Sequence, residues 1–267
     1  MTWLTAIILG ALEGFTEFLP ISSTAHLTLA AQLLKLAETD FLKSFIIIIQ
    51  LGAILAVVWL YRVTLFQKKN SELNKKVLAA FLPTAIIGFV LYKLIKTFLL
   101  GNTNIALWAM LLGGVIIIIF ERWHKKRELN NTSKSANLEN SVSLEDISYR
   151  QAVTIGLAQA LAVVPGVSRS AATIIGGLAL GLSRQTIVEF SFLLAIPTML
   201  AATIYDFYKS AGAFSLAQFD LLLIGFVSAF IFALISVKFL LKYIQQHTFT
   251  AFGLYRIIVA VVFLFLF

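Results

Sequence analysis

Apolar residues in this chain come in blocks. Three blocks in the first half, roughly residues 41–61, 78–99 and 104–121, are long enough to cross a bilayer, which takes about 20 residues in a helix. Three more follow, roughly 187–206, 220–240 and 249–267. Two stretches break the pattern. Residues 2–12 and 25–36 are apolar but each too short to span, and Pro20 and a polar turn separate them. Two half-length helices around a proline predict a re-entrant hairpin over 2–36, with one long kinked helix as the alternative. Irregular backbone at membrane depth is tolerated only where protein or a wet cavity covers it. Residues 151–182 read the same way. The one long polar stretch, 122–148, is rich in Asn, Ser, Lys and Glu and is expected to be a flexible linker.

The two sides of that linker resemble each other. GALEGFTEFLPISSTAHL at 10–27 matches GLAQALAVVPGVSRSAATI at 156–174 with one gap before the proline, pairing Gly10 with Gly156, Glu13 with Gln159 and Pro20 with Pro165. SFIIIIQ at 44–50 matches SFLLAIP at 191–197, and these lie 31 and 32 residues beyond Glu13 and Gln159. The predicted organisation is a first repeat over 1–121, the linker at 122–148 and a second repeat over 149–267. Each half is a re-entrant hairpin plus three transmembrane helices. Three crossings are an odd number, so the halves have opposite orientation, and a site near the midplane is expected where the broken helices meet. The fold class is an all-α polytopic membrane protein with an inverted-topology repeat.

Composition agrees. The chain is 60% hydrophobic and 13% charged, with mean hydropathy +0.92, against about 25% charged residues in soluble domains. A soluble helical core is thereby set aside. The formal charge of +8 comes without a nucleic-acid motif. Most basic residues fall in short loops, as topology determinants do. With the N-terminus on face A, face B carries Arg62, Lys68, Lys69, Lys75, Lys76, Arg122, Lys125, Lys126, Arg127, Lys134, Arg150, Arg184, Lys238, Lys242 and Arg256. Face A carries Lys35, Lys43, Lys93, Lys96 and Lys209, with Arg169 left at depth. Face B is then cytoplasmic and both termini are outside, with the first hairpin entering from outside. There is no cysteine, which excludes disulfides and thiolate metal sites. No cleavable leader is expected either.

Ionisable residues at membrane depth are costly and by default functional. Glu13 and Glu17, spaced i, i+4, share a helix face. In a low dielectric they repel unless a cation lies between them, and a divalent metal ion, Mg²⁺ or Ca²⁺, suits oxygen ligands. A solvated interfacial pair or a proton-sharing pair are the other readings. Ser22 and Ser23 sit in a turn or cap the next half-helix. Ser23 and His26, at i, i+3, form the pattern of a base-activated nucleophile, and the imidazole is itself a candidate nucleophile. A structural histidine is the plainer reading. Arg169 carries a planar fork suited to phosphate oxygens, with Ser168, Ser170 and Thr173 adding hydroxyls and a helix start near Ser168 adding free N–H groups. Neutralising Glu13 or Glu17 would be its alternative use. Gln50, Gln151 and Gln159 either line a cavity or bond between helices. Glu189 beside Arg184 reads as structural, and Gly113-Gly114 and Gly176-Gly177 as helix-packing positions. These parts fit hydrolysis of a phosphate or diphosphate ester on a lipid tail.

Over essentially its whole length the chain resembles the undecaprenyl-diphosphatase (bacitracin-resistance) family of bacterial inner-membrane proteins. The resemblance rests on EGFTEFLPISSTAHL at 13–27, PGVSRSAATIIGGLALGLSR at 165–184 and EFSFLLAIP at 189–197. It maps the family's acidic motif to Glu13 and Glu17, its serine-histidine segment to Ser22, Ser23 and His26, and its arginine motif to Ser168, Arg169 and Ser170. Ala25 and Ala171 stand where glycine is expected. It implies a metal-dependent hydrolase that converts undecaprenyl diphosphate into undecaprenyl phosphate and phosphate, with a site open to the periplasmic side and resistance to bacitracin. The expected partners are a polyprenyl diphosphate and membrane lipids; the oligomeric state stays open, a homodimer included. The rival class is a transporter or flippase for a lipid phosphate using the same midplane site. A phosphatase for another prenyl or phospholipid diphosphate is the nearest competitor among enzymes.

Overall fold

The structure, a computed structural model, describes residues 1–37, 39–67, 70–99, 102–132, 143–209 and 218–266. Among these residues there is no strand. The chain is all-α, and five helices are long and apolar enough to cross a membrane. Two short helices, α1 (Trp3–Thr16) and α2 (Ser23–Leu33), occupy the first half-length pair. Then come α3 (Asp40–Leu60), the short α4 (Arg62–Phe66), α5 (Ser71–Leu94) and α6 (Thr103–Thr132). The second pair is α7 (Tyr149–Gln159) and α8 (Arg169–Ala179), followed by α9 (Arg184–Lys209), α10 (Phe219–Tyr243) and α11 (Thr250–Leu266). At 17 residues, α11 is about 26 Å long, slightly under the hydrocarbon thickness. Every long helix keeps large apolar side chains exposed, among them Trp59, Phe89, Ile116, Ile204, Ile231 and Ile258, as a lipid-facing surface requires.

Two expectations change. The polar stretch after residue 121 is not a linker from its start: α6 continues to Thr132, and a 3₁₀ turn at Leu144–Asp146 leads into α7. Lys and Glu are good helix formers, so a polar face carries the helix beyond the apolar block. Residues 133–142 lie outside the described residues, as do Lys68, Lys69 and Lys134. At the entry to α7, the Ser143 amide and hydroxyl both donate to Asp146 and hold its exposed carboxyl below the usual carboxylate range. The second change is Arg256. It is 0% exposed inside the protein and is no surface topology determinant, although removing it does not reverse the charge asymmetry.

Packing exchanges elements between the halves. α1 lies along α10, and α7 lies along α5. Small residues set both approaches: Gly10 faces the Gly225 carbonyl and Gly156 faces the Ala80 carbonyl, so neither position has room for a Cβ. Hydroxyls fasten the same seams, with Ser228 donating to Ile7 O at 3.0 Å, Ser236 to Phe15 O at 2.7 Å and Thr84 to Gly156 O at 2.9 Å. α3 packs on α9 and α6 on α11. At the latter contact Gly114 faces Gly253, while the space at Gly113 is filled by the Arg256 guanidinium. Gly176 and Gly177 pack against Ala158 and Ile187. The fold thus packs α2 against α1 and α6, and α8 against α7, α9 and α6.

Candidate active site

Both short helices begin from the same strained turn. Ser22, the N-cap of α2, has φ 71°, and Ser168, the N-cap of α8, has φ 72°. Such values are uncommon for a residue with a side chain and tend to mark functional segments. Each serine Oγ accepts a backbone N–H three residues on, from Ala25 at 3.5 Å and from Ala171 at 3.2 Å. The equivalence of Ser22 with Ser168 puts the extra residue of the second half after its proline, offsetting the gap before it. Gly166, at φ +94°, supplies the reversal there.

A cavity of about 610 Å³ opens beside these turns. Ser22, Ser23 and Thr24 line it from the start of α2, and Ser168 and Arg169 from the start of α8. Two helix N-termini therefore reach one space, each with free N–H groups and the positive end of a dipole. Such an arrangement suits an anion. Glu17 lies at the same wall. Arg169 Nη2 stands 3.3 Å from Glu17 Oε1, with both side chains 10% exposed. Its Nη1 donates to Ser191 O at 3.0 Å, and its guanidinium lies 5.9 Å from the Phe18 ring centre. The second Glu17 oxygen accepts the Ser23 hydroxyl. Glu17, Ser23 and Arg169 thus form one contiguous cluster from both short helix pairs.

Glu13 lies one turn back on α1, close enough to Glu17 and Arg169 to feel their charges. It is 0% exposed, and neither carboxylate oxygen has a hydrogen-bond partner. A buried, unpartnered carboxylate is expensive unless a proton or a cation satisfies it. Among the described residues no group of three or more acidic or histidine side chains gathers. The donors fit a hard divalent ion that takes one or two carboxylates and fills its remaining positions with substrate phosphate and water. Glu13 and Glu17 are the residues that would hold it.

Other candidates from the sequence fall elsewhere. His26 shares α2 with Ser23 but does not face it: Nδ1 lies 2.7 Å from Ser22 O, Nε2 lies 2.8 Å from the Tyr255 hydroxyl, and its ring stacks on Tyr255. Ser170 donates to Leu19 O at 2.8 Å, and Thr173 is 2.6 Å from the Ser191 hydroxyl; both side chains are fully buried and turned from the cavity. Gln50 and Gln159 do line the cavity, whereas Gln151 caps α7 through Ser148. Gln159 donates to Thr84 and Thr198 at 2.9 and 3.1 Å. Arg184 pairs with Glu121 at 2.9 Å, and Glu189 accepts from Gln185. Sequence reasoning missed Arg256, Tyr255 and Glu121. Their signal was available: each is a polar residue inside or at the end of an apolar block.

The fold and site together define a multi-pass all-α membrane protein with an interior cavity where an arginine, a glutamate and serine hydroxyls lie beside apolar helix faces. The chain belongs to the bacitracin resistance protein BacA family, whose profile matches residues 6–262. It is 50% identical to the undecaprenyl-diphosphatase of Sulfurihydrogenibium sp. and 48% identical to that of Aquifex aeolicus, each over 98% of both chains. Identity to the undecaprenyl-diphosphatase of Bdellovibrio bacteriovorus is 42%, over 100% of this chain and 96% of the relative.

Proposed function

We infer that this protein is an integral membrane phosphatase. It hydrolyses undecaprenyl diphosphate to undecaprenyl phosphate and inorganic phosphate, which recycles the lipid carrier for cell-wall synthesis and confers resistance to bacitracin. The observation that carries the reading is the double engagement of Glu17, by the Ser23 hydroxyl and the Arg169 guanidinium, where two helix N-termini face one cavity. Substrate draws Arg169 from Glu17 onto the terminal phosphoryl group. Glu17 is then free to take the Ser23 proton. Ser23 Oγ bonds to the terminal phosphorus as the bridging P–O bond breaks and undecaprenyl phosphate leaves. Water then cleaves the seryl phosphate. Arg169 and the N–H groups of α2 and α8 stabilise the charge on the phosphoryl oxygens. Glu13 and Glu17 would hold a divalent ion, which would supply positive charge against the diphosphate. His26, held between Ser22 O and Tyr255, keeps the Ser22–Ser23 turn in place. The apolar part of the cavity between α5 and α9, at Phe81, Ala85, Gly88 and Phe89 on one side and Ala201 and Ala202 on the other, takes the first isoprenes.

The inverted orientation of the halves belongs to the same proposal. It is supported by the exchanged packing of α1 on α10 and α7 on α5 and by the matched serine caps. An outer location for both termini and the mouth of the cavity is part of this reading, and the charge asymmetry of the loops supports it. The test is phosphate release from undecaprenyl diphosphate by the purified protein in detergent, with and without a chelator, beside Glu17→Gln and Arg169→Ala. Chelator-sensitive release that both variants lose is the expected result. No release by folded wild type with any divalent metal overturns the enzyme reading, and lipid phosphate movement in liposomes then decides for the transporter.

A further inference from the structure

We propose that Arg256, in the last helix, is the positioning residue that holds the two catalytic turns in register. The claim rests on the phosphatase reading for its kinetic consequences and on geometry alone for the coupling itself. A guanidinium has five N–H donors in a fixed plane, and in this protein each has a backbone carbonyl. Nε donates to Met110 O at 3.1 Å; Nη1 donates to Pro20 O at 3.3 Å and Val167 O at 3.0 Å; Nη2 donates to Ala109 O at 3.2 Å and Gly166 O at 2.8 Å. Pro20 lies two residues before the strained Ser22, and Gly166 and Val167 immediately precede the strained Ser168. One side chain thus grips the turn carrying Ser23, the turn carrying Arg169, and α6 beneath both. It is fully buried and belongs to none of the described ion pairs.

Such a residue is a poor choice for stability alone, because a buried guanidinium with no carboxylate bears its desolvation cost against carbonyl dipoles only. What it provides is a rigid planar link between segments far apart in sequence. Without it the two turns are joined chiefly through the Ser170 hydroxyl on Leu19 O and through the Arg169–Glu17 pair that substrate binding opens. Lysine cannot replace it, since an ammonium has three donors and no plane.

Three variants test this. Arg256→Lys keeps the charge, and Arg256→Gln removes it. Gly113→Ala leaves Arg256 intact but puts a methyl where the guanidinium lies, and the three nearest atoms to that methyl all belong to Arg256. For folded, purified protein the expected result is a kcat lower by about 100-fold, the usual effect of an ångström-scale misplacement. KM stays within about threefold, because the tail supplies most of the binding. The second readout needs no activity. The chain has no cysteine, so nitroxides at Leu33→Cys and Leu180→Cys, on exposed positions just past or at the ends of α2 and α8, report the distance between those helices. A narrow distribution with Arg256 and a broad one in the variants is expected. Variants with kcat within threefold of wild type, or with an unbroadened distribution, overturn the proposal. If Arg256→Gln does not fold, Gly113→Ala decides the same question. A wild type without phosphatase activity removes the kinetic arm and the reading beneath it, while the distance measurement still decides the coupling.

Discussion

Replacing Arg169 by alanine separates a clamp on the phosphoryl group from a mere counter-charge for Glu17. The pair is 3.3 Å apart with both side chains 10% exposed. Breaking such a pair by removing one partner costs about 3–5 kcal/mol when the remaining charge has nowhere to go. Here the Ser23 hydroxyl still donates to Glu17 and the cavity admits water, so the lower figure applies to stability, and the protein is expected to insert and fold. The kinetic cost is larger. An arginine that stabilises a transferring phosphoryl group contributes about 10³–10⁵ in rate, or about 4–7 kcal/mol of barrier at 1.36 kcal/mol per decade. Arg169→Ala is therefore expected to release phosphate from undecaprenyl diphosphate at least a thousandfold more slowly than wild type. The decisive comparison is Arg169→Lys, which keeps a positive charge beside Glu17 but lacks the planar fork. If Arg169 only neutralises Glu17, the lysine variant keeps both stability and turnover. If it clamps phosphate, stability holds and turnover does not. A rate for Arg169→Ala within tenfold of wild type, or an Arg169→Lys variant with near-normal turnover, refutes the clamp.

Three more outcomes are expected. Ser23→Ala loses phosphate release altogether, whereas His26→Asn, which keeps a polar group beside Ser22 O and Tyr255, loses about tenfold; the reverse order in a single-turnover assay would make the imidazole the nucleophile. Magnesium or calcium raises the melting temperature of wild type, and Glu13→Gln abolishes that shift while remaining at least as stable without metal, because its buried carboxylate has no hydrogen-bond partner in the protein; an undiminished shift in thermal unfolding places the ion elsewhere. Gly88 has open space where a side chain would stand, so Gly88→Trp is expected to lower the preference for long over short prenyl diphosphates at least tenfold; equal effects on both chain lengths, compared as kcat/KM, would remove the tail from the α5–α9 cleft.

The hydrophobic pattern by itself determined the class, the positions of the long helices and the two interrupted pairs, because a bilayer demands long uniform blocks and leaves little freedom elsewhere. It also singled out Glu17, Ser23 and Arg169, since a charge or hydroxyl stands out against an apolar background. Pairing within the site was a different matter. Periodicity put Ser23 and His26 on one helix face, but the choice between His26 and Glu17 as partner of the Ser23 hydroxyl depends on how the turn through Pro20 and Ser22 folds back, and the positive φ at Ser22 carries no sequence signal as glycine would. Ser170 and Thr173 look like phosphate donors beside Arg169 in the sequence. Only the packing of α8 against the first turn and α9 turns them inward to Leu19 and Ser191. Arg256 is the clearest case. One basic residue near the start of an apolar block has the sequence signature of a cytoplasmic anchor. It becomes a link between the two serine turns only when α11 lies along α6 and five carbonyls from three separated segments converge on it. Backbone carbonyls have no identity in a sequence, so only the tertiary structure could decide what that arginine binds.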